Sequence, residues 1–320
     1  TIPHNSNISS GFMFNLESDG TVAMTEDQLT LRKKYEPIVE IMQHKGASEC
    51  FYSSEFGSDE LCAFEFLPVS GFFGGAPTKA GDGFVRDVLK EGLIAQQKNG
   101  MNPFQFGFIG SSDTHLGTPG AVEENIFLGH GGAGVPAGKQ IPPGLPDYLK
   151  YNPGGLAVIW AEENSRDALF DAMQRGETYA TSGPRIETRF FGGWDYSELL
   201  CESKAFAQRG YDGGVPMGGT LSVPTTTKSS PVFAVSAIQD PGSSRSLAVG
   251  LQRIQMVKGW IDAEGKKQEQ VYDIAGRAMA AQLVRLNTVA SNLANAGSTT
   301  GDPKTTYKLS LIHISEPTRQ

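Results

Sequence analysis

Polar side chains able to bind a metal follow a short apolar run in the segment 106–124. Residues 106–109 are typical of a buried strand ending at Gly110, and in α/β folds catalytic side chains gather where such strands end. Asp113 and His115 lie two residues apart, so on an extended strand end they would point to the same side. A carboxylate and an imidazole together suit Zn, Mn or Fe. The alternative is a strand cap, in which Asp113 binds loop amides and His115 is exposed.

Two more apolar segments lead into a histidine. Residues 38–42 have a buried-strand pattern followed by His44, and residues 2–3 resemble a strand end with His4 at its tip. Taken alone, His44 would more often be a structural histidine with satisfied nitrogens. Three such strand ends are less easily explained by chance than one, so we expect them to meet on one rim. The residues predicted to form this metal site are His4, His44, Asp113 and His115.

The elements that must position these residues alternate between helix and strand patterns. Helical spacing of apolar residues predicts helices at 27–35 and 84–98, and a third helix that starts at 164–165 and ends at Gly176. The predicted strands are 38–42, 106–109, 156–160 and an alternating strand up to Phe191. Residues 55–83, rich in Gly and Phe, are predicted to form a loop over the rim.

Beyond residue 192 the pattern changes to short alternating strands separated by turns. The predicted strands are 233–237, 247–251 and 254–261, and the predicted turns are 240–242 and 262–265. We interpret this part as a small β-rich module without catalytic residues. Residues 274–296, rich in Ala and Leu, predict a helix that stops at an Asn-Ala-Gly sequence.

Composition restricts the class of protein. With 320 residues the chain exceeds the usual size of one core, so two units and a tail are expected. Abundant Gly (39) and Pro (18) with 19% charged residues are typical of a loop-rich globular protein. The net charge of −8 disfavours a nucleic-acid partner. The sequence contains no apolar run of transmembrane length, so a membrane partner is not expected either. The three cysteines match no zinc pattern, and one disulfide is possible.

Three further features have open interpretations. Residues 129–134 surround His130 with glycines, but no Lys-Ser/Thr follows, so a flexible loop is favoured over a phosphate loop. Arg185 would meet either an anionic substrate group or a structural salt-bridge partner. The chain opens with TIPHNSN, without Met or a signal peptide, and we interpret it as a fragment. Localisation therefore stays open between periplasm and cytoplasm.

Five longer runs carry a family resemblance: IPHNSN, VEIMQHKGASEC, GFIGSSDTHLGTPGAVEE, GGLAVIWAEENSRDALFDAMQRGETYATSGPRI and FFGGW. Over about residues 1–272 the chain resembles the bacterial domain-of-unknown-function family 3604, related to the PHP (polymerase and histidinol phosphatase) metallo-phosphoesterases. The resemblance implies a distorted β/α barrel with two or three divalent ions at its carboxyl rim. It matches His4 and His44 to the later histidine ligands and Asp113 and His115 to a terminal Asp-x-His pair. Supporting acids implied by position are Glu40 and Glu49.

The chain departs from that family's pattern at its start and in its tail. Such proteins open with a His-x-His strand, which this chain lacks, so half of the metal site is expected to be missing. The missing partner would be the amino-terminal part of its own barrel. Residues 272–308 resemble the helical segment of flagellar rod proteins, and 309–320 look like translated sequencing-adapter read-through, which excludes His313 from any site. A genuine carboxyl-terminal helix is the alternative.

These observations combine into one sequence-based prediction. The fold is α/β: residues 1–191 form the carboxyl-terminal part of a PHP-like barrel, 192–271 a β-rich module, 272–308 a foreign helical tail and 309–320 an artefact. The function is metal-dependent hydrolysis of a small-molecule ester, phosphoesterase-like, in which Mn, Zn or Fe activates water. The fragment itself would be a weak or inactive catalyst. The alternative function is a non-catalytic binding or assembly protein.

Overall fold

The regular elements are short and alternate between helix and strand. A computed structural model describes residues 1–18, 22–52, 60–67, 82–115, 117, 119–123, 152–224, 230–244, 248, 250–274 and 284–289. In chain order the elements are β1 (Glu17–Ser18), β2 (Val22–Ala23), α1 (Glu26–Tyr35), β3 (Ile38–Gln43), β4 (Gly46–Ala47), α2 (Val85–Asn99), β5 (Gly107–Gly110), β6 (Leu156–Ile159), α3 (Arg166–Gln174), β7 (Thr178–Thr181), β8 (Glu187–Gly193), α4 (Phe206–Gly213), β9 (Gly214–Pro216), β10 (Val232–Ile238), β11 (Gln255–Ile261), β12 (Lys267–Asp273) and β13 (Val284–Val289). Among the helices in these ranges, none has the length and apolar character needed to cross a membrane.

The chain divides into two compact units. Unit 1 contains Thr1–Arg189, Met217–Gly219 and Ser236–Val284, and unit 2 contains Phe190–Pro216, Thr220–Val235 and Arg285–Gln320. The β11–β12 hairpin thus belongs to unit 1, although its residues lie in the predicted module 192–271. A compact unit is not necessarily an evolutionary domain, so the predicted domain boundaries stay a prediction.

The centre of unit 1 is a parallel pair of strands. β3 is a nearly continuous apolar run buried along its length, as expected for a strand covered on both faces. It pairs in parallel with β5, Ile38 opposite Gly107, and antiparallel with the short β4. Parallel neighbours need a crossover connection, and α2 lies in the chain between them. The predicted strands at 38–42 and 106–109 and the predicted helix at 84–98 are therefore confirmed within a residue or two.

Aromatic side chains form the core beside this pair. The buried cluster comprises Phe14, Val39, Val85, Val88, Phe104 and Phe106. The rings of Phe14 and Phe104 meet edge to face with centroids 5.7 Å apart. The Arg32 guanidinium of α1 lies 5.0 Å from the Phe104 ring centroid and donates a hydrogen bond to the carbonyl of Asn15 (2.8 Å). This arginine therefore fixes α1 to the core through both its planar face and its N–H groups.

A second strand pair lies against β5. β6 and β7 are antiparallel, and α3 between them starts at Ser165, whose Oγ accepts a hydrogen bond from the Ala168 N–H (3.3 Å). The close approach depends on Gly110, because a Cβ there would lie 2.9 Å from the carbonyl oxygens of Leu156 and Thr181. The predicted helix start at 164–165 and the strand at 156–160 are confirmed.

Unit 2 has its own sheet and aromatic contacts. Most residues of the four-stranded sheet ordered β13-β10-β8-β9 belong to it. Phe191 on β8 is buried, and its ring meets those of Phe206 and Tyr211 with centroids 5.7 and 5.1 Å away. The Tyr196 hydroxyl donates to the carbonyl of Gly210 (2.5 Å), and burial raises the pKa of Tyr196 to about 12. These contacts attach α4 to β8.

Several sequence predictions differ from the structure. The described strands form separate sheets of two to four strands without a closed barrel among them. In the predicted tail helix, residues 284–289 form the strand β13 instead, and the sequence VRLNTV is indeed rich in β-branched residues, which favour strands. The described residues of 247–251 belong to no strand, and α4 and β12 were not predicted. What the structure supports is a mixed α/β fold.

One disulfide ties the segment after β4 to a neighbouring turn. Cys50 and Cys62 are bonded, which confirms the single bridge that the cysteine count allows, whereas Cys201 is buried and takes no part in it. The carbonyl of Glu65, three residues after Cys62, accepts the N–H of Ala47 on β4 (3.0 Å). Three predicted segments lie outside the described residues: most of the loop 55–83, the loop 129–134 with His130, and the end 309–320 with His313.

Candidate metal centre

The candidate site lies where β3 and β5 end side by side. Met42 on β3 pairs with Gly110 on β5, and the N–H of Ser111 donates to the carbonyl of Met42 (2.8 Å). β3 then turns into β4 through only two residues, His44 and Lys45. The tight turn holds both side chains at the same edge as the residues that follow β5.

Asp113 is the residue on which these side chains converge. Its Oδ2 lies 3.2 Å from His44 Nε2 and accepts hydrogen bonds from Lys45 Nζ and from Gln43 Nε2, the latter at 3.1 Å. Its Oδ1 lies 3.6 Å from His115 Nε2. Burial alone would raise the pKa of the Asp113 carboxyl, but the polar side chains around it, among them the Lys45 ammonium, hold that pKa well below its ordinary value. Asp113 is therefore a carboxylate throughout the physiological pH range.

Gln43 fixes the orientation of Asp113. Its Nε2 donates to both Asp113 Oδ2 and Asn5 Oδ1, while its Oε1 accepts the N–H of Lys45 (2.8 Å). Asn5 and Asp113 both have left-handed backbone conformations, with φ of 56° and 50°, which are uncommon for residues other than glycine. The buried Gln43 side chain thus connects two sharply turned segments at the site.

Glu40 and His4 are a second carboxyl group and imidazole whose charges influence each other, and the charge of Asp113 also acts on Glu40. Glu40 is buried on β3, its Oε2 accepts a hydrogen bond from the Ser111 hydroxyl, and its Oε1 has no hydrogen-bond partner among the described residues. Burial raises the pKa of Glu40, although the Ser111 hydroxyl and the nearby His4 act in the opposite direction. His4 is exposed, and its Nδ1 lies 3.3 Å from the carbonyl oxygen of Ile2.

Two other candidates have different partners. Glu49 forms an ion pair with Arg86 of α2, with Arg86 Nη2 2.6 Å from Glu49 Oε1. Arg185 lies beside a turn, where its backbone N–H donates to Asp240 Oδ2 (2.6 Å). Glu49 is thus held in an ion pair, and its role as a supporting acid stays a prediction.

A glycine allows the chain to pass directly beneath the site. Two backbone hydrogen bonds hold the segment that precedes β6 against the strand ends. The N–H of Asn152 donates to the carbonyl of His44 (3.3 Å), and the N–H of Gly155 donates to the carbonyl of Ser111 (2.7 Å). Between them, Gly154 has a φ of +93°, and a Cβ there would lie 2.6 Å from Ser111 O. Only glycine fits this position without displacing one of the two strand ends.

The donor set has the right chemistry for a transition metal but is not arranged as a complete metal site. Imidazole nitrogens and carboxylate oxygens suit Zn, Mn and Fe, and the buried Glu40 Oε1 lacks a hydrogen-bond partner among the described residues. In the same part of the chain, no three His, Cys, Asp or Glu side chains converge closely enough to hold an ion. The pairs His44–Asp113 and Asp113–His115 share one carboxylate instead.

Two residues of the site were missed from the sequence. Lys45 and Gln43 both contact Asp113, and both directly flank His44 in the chain. The signal that could have found them is the sequence Gln-His-Lys-Gly between a buried strand and the next segment, since Gly46 with a φ of 96° is typical of a hairpin turn. Such a turn places all three polar side chains at the end of the strand.

One groove of unit 1 lies apart from the candidate site. It has a volume of about 730 Å³ and is lined by Phe12, Met13, Asn15, Glu17, Met24, Gln28, Leu31, Arg32, Tyr35 and Glu36. None of the candidate ligands is in this set, so its apolar walls have no connection with the chemistry at Asp113.

Fold and site together define a mixed α/β protein with a histidine and carboxylate cluster at the ends of two parallel strands. The model of the protein family of unknown function DUF3604 matches residues 1–307, so the chain belongs to that family. The match includes most of the segment 272–308. The separate, flagellar-rod-like origin predicted for that segment stays a prediction. No curated protein and no solved structure matches the chain.

Proposed function

We propose that this chain belongs to a metal-dependent hydrolase of small-molecule esters, phosphoesterase-like and related to the PHP enzymes. The observation that carries the proposal is the position of Asp113 between two imidazoles, with Nε2 of His44 3.2 Å and Nε2 of His115 3.6 Å from its two oxygens. Carboxylates and imidazoles gathered where parallel strands end are typical of catalytic metal sites. A PHP-like barrel is part of the same proposal.

The residues proposed to hold a divalent ion are His44, Asp113 and His115, with His4 at the margin of the site. A bound Mn, Zn or Fe would supply activated water and neutralise charge on the leaving oxygen. Gln43 would keep the Asp113 carboxylate in a fixed orientation, as hydrogen-bonded neighbours of metal ligands do. The low pKa of Asp113 keeps it ionised and available as a ligand.

Glu40 is proposed as the supporting acid. Its pKa is raised by burial, so its carboxyl group keeps a proton to higher pH than an exposed glutamate would. Because the Ser111 hydroxyl donates to Oε2, the proton belongs on Oε1, the oxygen without a hydrogen-bond partner among the described residues. A protonated Oε1 would be a source of the proton that an ester's leaving oxygen needs.

The proposal is tested by metal binding and turnover together. The purified chain would be freed of metal with a chelator, titrated with Mn²⁺ or Zn²⁺, and assayed on a generic phosphodiester such as bis(4-nitrophenyl) phosphate. We expect hydrolysis that requires the added metal and is lost in His115→Ala, a change at an exposed side chain that should leave folding intact. Equal hydrolysis with and without metal, or no metal binding at all, would contradict the proposal.

A non-catalytic binding or assembly role is the second candidate, and one contact favours it. Lys45 Nζ already neutralises Asp113, so the carboxylate has a cationic partner without any metal. In that case the cluster would be a structural element of the strand ends. A chain that is fully folded, binds neither Mn²⁺ nor Zn²⁺ and hydrolyses nothing would support this role.

A further inference from the structure

The ammonium group of Lys45 lies inside the candidate metal centre. Its Nζ is 2.8 Å from His44 Nε2 and contacts Asp113 Oδ2, while those two acceptor atoms are 3.2 Å apart. Three atoms at these separations form a small triangle with the positive charge at one corner. The Lys45 side chain is only 12% exposed, so the charge is largely removed from water and depends on these two partners.

The chemistry of the three groups determines which atom holds a proton. An ammonium group only donates hydrogen bonds, so at 2.8 Å the Nε2 atom of His44 must be the acceptor and carry its lone pair toward Lys45. A metal ion bound by Nε2 needs that same lone pair, because imidazole coordinates through its unprotonated nitrogen. Asp113 Oδ2 likewise faces the ammonium with the oxygen a metal would take. Lys45 and a metal therefore cannot use this pair of atoms together.

We propose that Lys45 is a tethered cation that competes with a divalent metal ion for His44 Nε2 and Asp113 Oδ2. Without metal the ammonium group occupies His44 Nε2 and Asp113 Oδ2 and balances the charge of the Asp113 carboxylate. When a metal binds, the lysine side chain must leave the pair, and its charge becomes available to an anionic group of the substrate. This inference rests on the proposed hydrolase function, since it assumes that the centre takes a metal.

The position of Lys45 in the fold suits such an exchange. It occupies the second position of the two-residue turn between β3 and β4, and its backbone N–H is held by Gln43 Oε1 (2.8 Å), so the main chain stays in place when the side chain moves. A lysine side chain has a long flexible stem and a compact charge, unlike the planar guanidinium of arginine. Being tethered, it acts as a competitor at high effective concentration, which weakens the apparent affinity for metal.

Metal titrations of two variants test the proposal. Lys45→Met removes the charge with little loss of volume, and Lys204→Met, at an exposed lysine of unit 2, is the control. With Mn²⁺ or Zn²⁺ alone in a calorimeter, we expect Lys45→Met to bind about 10-fold tighter than the wild type, the change of 1.4 kcal/mol expected for losing one modest competing contact. Lys204→Met should bind as the wild type does.

Thermal unfolding of the same proteins gives a second readout. Without metal, Lys45→Met should melt below the wild type because Asp113 has lost its partner, and saturating metal should close that gap. If Lys45→Met fails to fold, Lys45→Gln, which keeps donor groups without the charge, replaces it in both measurements.

The possible outcomes separate this inference from the proposed function. Equal metal affinity in the wild type and Lys45→Met, with both binding, overturns the competition by Lys45 and leaves the hydrolase proposal standing. Absence of binding in all proteins overturns both, with Lys45 then a permanent counter-ion of Asp113. Tighter binding by Lys45→Met alone, together with the closing of the stability gap, supports the competition.

Discussion

Unit 1 contains two groups of charged side chains that differ in composition and environment. The strand-end cluster consists of Glu40, His44, Lys45, Asp113 and His115. The α2 ion cluster joins α2 to the β11–β12 hairpin and consists of Glu49, Arg86, Asp87, Lys90, Glu91, Lys267 and Glu269. Both bring together residues that are far apart in the sequence. Only the first contains imidazoles and a buried carboxyl group.

The partners in the two clusters are arranged differently. In the α2 ion cluster the contacts join lysine and arginine cations to carboxylates that are 27–47% exposed, as in Lys90 Nζ to Glu269 Oε2 (2.8 Å) and Lys267 Nζ to Asp87 Oδ2 (2.7 Å). In the strand-end cluster His44 is fully buried, and several groups meet at the single carboxylate of Asp113. Surface pairs are weak because water competes for them, whereas a desolvated group depends on its partners.

The comparison teaches that opposite charges alone do not identify a functional site. Glu49, which the family resemblance implies as a supporting acid, pairs with the guanidinium of Arg86. Asp113 differs from it because its partners include two imidazoles, whose unprotonated nitrogens bind metals as well as protons. Removing a charge should therefore affect activity in one cluster and stability in the other.

The largest effect is expected from Asp113→Asn. The substitution keeps the shape of the side chain but removes the charge that unites His44, Lys45 and His115. We expect metal-dependent hydrolysis to fall by about 100-fold or more, as for loss of a ligand with its supporting contacts. Initial rates on a phosphodiester at saturating Mn²⁺ measure it. Asp195→Asn, at an exposed aspartate, is the control, and an equal loss in both variants would refute the special role of Asp113.

A smaller effect, on stability alone, is expected from Arg86→Met. Arg86 donates twice to Glu49 Oε1 (3.0 and 2.6 Å) and pairs with Glu269 at 3.3 Å. Because Glu49 is about half exposed, water compensates part of the loss, and we expect unfolding in urea to be easier by about 1 kcal/mol. Metal affinity should be unchanged. A large drop in metal affinity would mean that the two clusters are coupled.

The alkaline stability of the α2 ion cluster should depend on Lys267. Burial acts to lower the pKa of this ammonium, but Asp87 and Glu91 outweigh it and hold the pKa above its ordinary value. A raised pKa in the folded state adds stability that is complete below the unfolded lysine pKa of about 10.4 and is lost as pH rises through the folded pKa. For a partly exposed group the stability difference between wild type and Lys267→Met should be below about 1 kcal/mol. This difference should shrink as the pH rises above the unfolded lysine pKa. Urea titrations at a series of alkaline pH values measure it, and a constant difference would contradict the assignment.

The smallest effect is expected from salt. Raising NaCl to about 0.5 M shortens the Debye length to about 4 Å and screens exposed charges more than buried ones. The stability difference between wild type and Arg86→Met should shrink by a few tenths of a kcal/mol, roughly half of its value. The difference between metal-free wild type and Lys45→Met should change less, because Asp113, the partner of Lys45, is 20% exposed whereas Glu49, the partner of Arg86, is 47% exposed. Equal salt dependence would show that both clusters are solvated alike.

The local elements of the fold were largely readable in the sequence. The apolar run of β3, the helical spacing of α2 and the cap at Ser165 each depend on residues within one turn or one strand. The segment 274–296 shows where such patterns fail, because its many alanines favour a helix whereas residues 284–289 pair as a strand in a sheet. Pairing with a distant strand outweighed local preference there.

The candidate site divides in the same way. The positions of His44, Asp113 and His115 after buried strands could be predicted from the sequence, because an apolar run ends where polar residues begin. The hydrogen bonds of Gln43 and Lys45 to Asp113, 70 and 68 positions away, and the pairing of Glu49 with Arg86 could not. Those contacts depend on the parallel register of β3 against β5 and on the two-residue turn after β3. A shift of that register by one residue would turn Gln43 and the other β3 side chains to the opposite face of the sheet, so these contacts exist only once the strands have paired.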